Sequence, residues 1–161
     1  MLAVNVICVG KLKEAYWRDA CAEYAKRLGA YCKLNIVELA ESKLSQKPSD
    51  GEIKAALYSE GRMMLPYVGQ KGAYNIAMCI EAAQLTSEEL AAKIEQVSVG
   101  GASTVNFVIG SSFGLDPEIK KLCNMRLSIS KMTLPHQLAR VVTLEQIYRA
   151  FSINAGAKYH K

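Results

Sequence analysis

The sequence predicts an α/β fold: a mainly parallel sheet with helices on both faces. Two observations carry that prediction. Five short apolar runs, at residues 3–9, 34–39, 74–80, 104–109 and from Leu127 onward, alternate along the chain with five stretches of helical period. Strands separated one by one by helices are the pattern of βαβ units, whose strands lie parallel. The runs at 3–9 (AVNVICV) and 104–109 (TVNFVI) are also almost continuously apolar, as strands covered on both faces must be.

Taken in order, the first strand is closed by Gly10. Trp17, Ala20, Cys21, Tyr24 and Leu28 then form one apolar stripe at helical spacing, with Arg18, Asp19, Glu23, Lys26 and Arg27 off it and Gly29 at its end. After the second strand, residues 41–51 (ESKLSQKPSDG) are polar and breaker-rich. They are expected to form one long mobile loop, suited to a flap over a substrate. Ile53, Leu57, Met64 and Leu65 place a helix over 52–67, ending near Pro66 and Gly69. The third strand follows, and Thr86 with Glu89 opens the next helix as a capping box, each side chain bonding the other residue's backbone amide. Gly100 and Gly101 close it. The fourth strand leads into GSSFG at 110–114, and Asp116 before Pro117 marks another helix start.

The chain is organised around its C-terminal stretch. Leu127 and Ile129 alternate with Ser128 and Ser130, the period of a half-buried strand. Lys131, Met132 and Thr133 make a polar turn, and a helix is expected from Leu134 or Pro135 through Leu138, Val141, Val142, Leu144, Ile147, Tyr148 and Phe151. An apolar arc that wide is normally covered on two sides, by its own sheet and by something else, such as a second copy of the chain.

With 161 residues the chain reads as one domain, residues 1–161, large enough for a core without disulfides. It has no apolar run long enough for a membrane span, and its N-terminus lacks the basic head and cleavage site of a signal peptide, so the expectation is a soluble, cytoplasmic protein without a membrane role. Five widely spaced cysteines and two histidines suggest buried thiols in a reducing compartment and no metal site. Charge is more telling. Residues 1–118 carry twelve Lys/Arg against fourteen Asp/Glu, residues 119–161 eight against one. A basic C-terminal quarter suggests an anionic partner, most often nucleic acid.

Ligands of parallel sheets collect at the carboxyl ends of strands, which directs attention to the loops at 110–114 and 130–134. The first lacks the third glycine of a dinucleotide fingerprint and the Lys-Ser/Thr of a P-loop. It does match GxSxG, the elbow of serine hydrolases, with Ser112 as nucleophile and Asp116 and His136 following in the right order. Against this, the helix start belongs to Asp116 and Pro117 rather than to the serine.

The combination of VGKLKEAYW (9–17), EYAKRLG (23–29), FVIGSSFGL (107–115), LSISKMTLPHQLARVV (127–142), EQIYRA (145–150) and the closing YHK (159–161) closely resembles the RlmH family. These are small methyltransferases of the SPOUT class that modify a pseudouridine of large-subunit (23S) ribosomal RNA. The likeness runs over essentially the whole chain. It implies a C-terminal trefoil knot, which no rule of sequence reading supplies, a homodimer, and S-adenosylmethionine held in the knot. By position, the resemblance assigns cofactor contacts to Met78, Gly110, Ile129, Ser130, Lys131, Met132, Thr133 and Leu134. A glycine lets backbone approach a ligand, and a loop offering amides with Met and Leu side chains suits an adenine and a sulfonium without a metal.

The implied reaction moves the sulfonium methyl to N3 of pseudouridine, so the protein must align the two and help remove the N3 proton. Candidates are His160 and Lys161 on the tail, Tyr159 to stack a splayed base, and Arg140 facing phosphate or base. The sequence departs from the family pattern at Ser111, usually glycine, and at 79–83 (CIEAA), where an acidic residue followed by Gly-Lys is usual. A non-catalytic RNA-binding module that kept the fold is the remaining alternative.

Overall fold

The computed structural model describes residues 1–159. Strands β1 (Ala3–Val9), β2 (Lys33–Leu39), β3 (Ala73–Met78), β4 (Thr104–Ile109) and β5 (Met125–Leu127) alternate with helices α1 (Ala15–Leu28), α2 (Asp50–Val68), α3 (Ser87–Val99), α4 (Pro117–Leu122) and α5 (His136–Asn154). The strands form one sheet in the order β2-β1-β4-β3-β5, and every pairing is parallel.

Strand order decides which face each helix takes. Crossovers between parallel strands are right-handed. The steps β1 to β2 and β3 to β4 run toward the β2 edge, and they place α1 and α3 on one face. The steps β2 to β3 and β4 to β5 run the other way and place α2 and α4 on the opposite face. Two cores result. Val4, Val6, Phe107 and Ile109 meet Leu28, Leu90, Ile94, Leu144 and Ile147 on the first face, and Ile7, Val9 and Val108 meet Met64, Val68 and Ile119 on the second.

Helix α5 packs over β1 and β4 with α1 on one flank and α3 on the other. Of the apolar residues on its wide arc, Leu144 and Ile147 are buried against the sheet and the two helices, whereas Leu138, Val141, Val142, Tyr148 and Phe151 stay half-buried.

A polar row crosses the sheet inside these cores. Asn5, Asn106 and Asn75 are register partners on β1, β4 and β3. Asn5 Nδ2 donates to Asn106 Oδ1 at 2.8 Å, and Asn106 Nδ2 donates to Asn75 Oδ1 at 2.8 Å and to the Tyr67 carbonyl at 3.0 Å. Asn75 Nδ2 reaches the Val68 carbonyl at 2.7 Å. A one-residue slip would break these bonds and leave buried amides unpaired, so the row pins the strand register and ties the end of α2 to the sheet.

The structure departs from the sequence reading at β5, at α2 and in the loop before α2. Strand β5 ends at Leu127, and the alternating residues after it form loop, because β5 is an edge strand with β3 as its one partner and β3 itself ends at Met78. Helix α2 starts at Asp50, capped by Ser49, whose Oγ accepts from Glu52 N at 3.2 Å, and it runs through Pro66 to Val68. The 41–51 loop is not a free flap. Ser42 N donates to the buried Glu60 carboxylate at 3.1 Å and Ser45 Oγ to Glu52 at 3.1 Å, which lays the loop along α2.

The capping box on α3 forms in full, with Glu89 N to Thr86 Oγ1 at 3.1 Å and Thr86 N to Glu89 Oε2 at 2.7 Å. Thr86→Ala is expected to lower stability by about 1 kcal/mol in a denaturant melt, with no change in the m-value.

Candidate active site

The carboxyl ends of β3, β4 and β5 lie side by side, and the segments that leave them, with the start of α5, enclose a crevice of about 330 Å³. Each wall is built locally. After β4, Gly114 N donates to the Ser111 carbonyl at 2.8 Å and closes a tight turn. Gly114 has φ +92°, a left-handed backbone that glycine adopts without strain. Gly110 is needed for another reason: a Cβ there would lie 2.1 Å from the Gly114 carbonyl oxygen. The absence of its side chain is thus required first by the chain's own turn.

After β5, Ser128 Oγ donates to the Ser130 carbonyl at 3.0 Å, and Met132 N donates to Ser130 Oγ at 3.0 Å, so the serines fold the loop on itself. The segment after β3 is knit to the same loop by Cys79 N to the Leu127 carbonyl at 2.9 Å and Ser128 N to the Ala83 carbonyl at 3.0 Å. Helix α5 opens at the crevice through His136 and Ala139 with no side-chain cap.

Of the eight residues that the resemblance assigns to the cofactor, Met78, Gly110, Ile129, Ser130, Met132, Thr133 and Leu134 line this one crevice. Lys131 belongs to the same loop but is exposed and not part of the lining. Two charged lining residues escaped the sequence reading. Glu81, from the segment after β3, and Lys120, from α4, meet across the crevice at 2.8 Å. The bond to Lys120 holds the Glu81 carboxyl below the usual carboxylate range. Glu81 falls in the segment already marked as unusual. Nothing in the sequence marks Lys120, which reaches the crevice only because α4 folds back beside β3.

Arg140 is placed differently from the expectation that it faces phosphate or base. It is 2% exposed, and its guanidinium donates to Glu38 Oε2 at 2.7 Å and to the Gly10 carbonyl at 3.0 Å. The cation therefore ties α5 to the ends of β1 and β2. Tyr159 rests on α5, 4.7 Å from the Tyr148 ring, with the Arg149 guanidinium 4.8 Å from its own centroid and its hydroxyl 3.3 Å from Glu145. Arg149 pairs with Glu145 at 2.6 Å. His160 and Lys161 lie outside the described residues.

The serine-hydrolase arrangement is not formed. Ser112 sits in the exposed turn with no helix starting behind it, and α4 begins only at Pro117. Asp116 Oδ1 accepts from Glu118 N at 3.2 Å, so the carboxylate that a triad would place behind His136 serves as the cap of α4. The cysteines are packing groups, and burial pushes the Cys8 thiol up to about 12. Among the described residues no group of three or more His, Cys, Asp or Glu is placed to hold a metal, and no helix is long and apolar enough to cross a membrane.

The family model "Predicted SPOUT methyltransferase" matches residues 2–160. This chain belongs to the SPOUT methyltransferase family. A relative from Bifidobacterium adolescentis, named ribosomal RNA large subunit methyltransferase H, is 52% identical over 99% of this chain and 100% of its own length. One of the same name from Streptococcus equi subsp. zooepidemicus is 46% identical over 99% of this chain and 100% of its own. A solved structure of a probable methylase family protein from Haemophilus influenzae, 14% identical, superposes with a TM-score of 0.57 over 98% of this chain and 70% of its own, which speaks for the fold. As a SPOUT methyltransferase the protein is an enzyme. The hydrolase and the non-catalytic module are both set aside by relatives that match it end to end.

Proposed function

We propose that the protein transfers a methyl group from S-adenosylmethionine to N3 of a pseudouridine in large-subunit ribosomal RNA, with the assembled ribosome as substrate. The observation that carries this reading is the convergence of Met78, Gly110 and the 129–134 loop on one crevice at the carboxyl ends of three neighbouring strands. The donor set fits the cofactor. Met78, Ile109, Leu115, Leu127, Ile129 and Leu134 offer an apolar bed for an adenine, and Ser130 and Thr133 offer hydroxyls for a ribose. The bound cofactor supplies a methyl on a positively charged sulfur. The remaining work falls to this chain's residues: Met78 and the 129–134 loop orient the donor, and the tail, with Tyr159, His160 and Lys161, receives the base and its N3 proton.

The tail raises a question of geometry. Tyr159 is held against Glu145 and Tyr148, nine and twelve residues along α5 from His136 at the crevice. At 1.5 Å per residue that is roughly 13 to 18 Å. A tail that acts at a crevice would therefore act at that of a second copy, which supports the homodimer, and the C-terminal trefoil knot belongs to the same reading. The eight Lys/Arg of residues 119–161 suit an RNA partner approached at this end.

The test is calorimetric titration with S-adenosylmethionine, followed by tritium transfer to ribosomes lacking the modification. Saturable binding and one methyl per ribosome are expected, together with loss of N3-methylpseudouridine from the ribosomal RNA of cells deprived of the protein. Unchanged modification in those cells would overturn the reading.

A further inference from the structure

We propose that Glu81 and Lys120 form the subsite that grips the amino-acid end of the methyl donor, an inference that rests on the donor reading above. The donor is a flat adenosine joined through sulfur to a zwitterion, with an ammonium and a carboxylate on one carbon. Apolar side chains and hydroxyls can serve the adenosine, but the zwitterion needs charges of both signs close together. Among the described lining residues, Glu81 and Lys120 are the one oppositely charged pair.

Their placement suits the task. Glu81 comes from the segment after β3 and Lys120 from α4, so the two reach the crevice from different walls. Lys120 is largely covered, 23% exposed, whereas Glu81 is 61% exposed and stays open to solvent on its outer side. Without ligand each charge is satisfied by the other at 2.8 Å. On binding, Lys120 turns to the carboxylate and Glu81 to the ammonium, so one ion pair is replaced by two and net charge is unchanged. The 79–83 segment, where this chain departs from the family pattern, thereby acquires a role in the cofactor site.

The experiment is calorimetry on the full-length protein with two ligands, S-adenosylhomocysteine and 5′-methylthioadenosine. Both carry adenosine and a thioether, but only the first has the amino-acid end. For Lys120→Gln we expect S-adenosylhomocysteine to bind about tenfold more weakly, the loss of one charge-assisted contact in a partly screened site, and 5′-methylthioadenosine to bind within about twofold of wild type. Glu81→Gln should behave alike. Unfolding is followed in parallel, because a variant that only loosened the walls would weaken both ligands together. Equal weakening of the two ligands, or no change in either, overturns the subsite. A wild-type protein that binds neither ligand overturns the donor reading itself and this inference with it.

Discussion

Gly110→Ala is expected to cut donor affinity by about a hundredfold or more and to destabilise the fold by about 2 to 4 kcal/mol, the range of severe overpacking. The added Cβ would stand 2.1 Å from the Gly114 carbonyl oxygen and 2.4 Å from its carbon. Both atoms are backbone, so no side chain can swing away. Relief requires opening the 110–114 turn, which is one wall of the crevice. Gly114→Ala is the informative contrast. Nothing lies within 4 Å of a Cβ there, and the cost comes only from the left-handed φ of +92°, about 1 to 2 kcal/mol. Calorimetry with S-adenosylmethionine and a thermal melt of each variant separate the two effects. A Gly110→Ala protein that bound the donor like wild type would remove this turn from the site.

The second large effect concerns the Arg140–Glu38 pair, and its two halves should not cost the same. Arg140 is buried, while the Glu38 side chain is 35% exposed. Glu38→Ala strands a guanidinium in the core with only the Gly10 carbonyl as partner, and about 3 to 5 kcal/mol is expected to be lost. Arg140→Met removes the buried charge and leaves a carboxylate that water reaches, so a smaller loss of about 2 kcal/mol is expected, mostly from the unpaired Gly10 carbonyl. The double variant Glu38→Leu with Arg140→Met should be more stable than Glu38→Ala alone. Denaturant melts of the three proteins test the order. Equal losses for both single variants would mean that the guanidinium is better solvated than its burial indicates. Donor affinity should fall with either single change, since Arg140 lies one turn from His136 and holds the end of α5 that borders the crevice.

Much of this was legible in the residues. The five apolar runs and the stripes between them specified the order of strands and helices, the Thr86–Glu89 box and the Asp116–Pro117 start marked their helix ends, and the loops singled out after β4 and β5 are ones that enclose the crevice. These are local properties: a strand's burial, a cap's hydrogen bond and a glycine's turn are set by residues a few positions apart. The family resemblance added the identity of seven residues that meet in the crevice.

Other features depended on contacts between distant parts of the chain. Arg140 looks like any helix cation until α5 lies across the sheet and brings it to Glu38, 102 positions away. Lys120 and Glu81 become a pair only when α4 folds beside β3, and three asparagines become one row only when β1, β4 and β3 fall into register. The sequence by itself determined which segments become strands and helices, because periodicity and caps act within a turn or two. Only the tertiary structure decided which charges are buried, which are paired and which face the crevice, because burial and long-range pairing are set by strand order and crossover hand rather than by any neighbour along the chain.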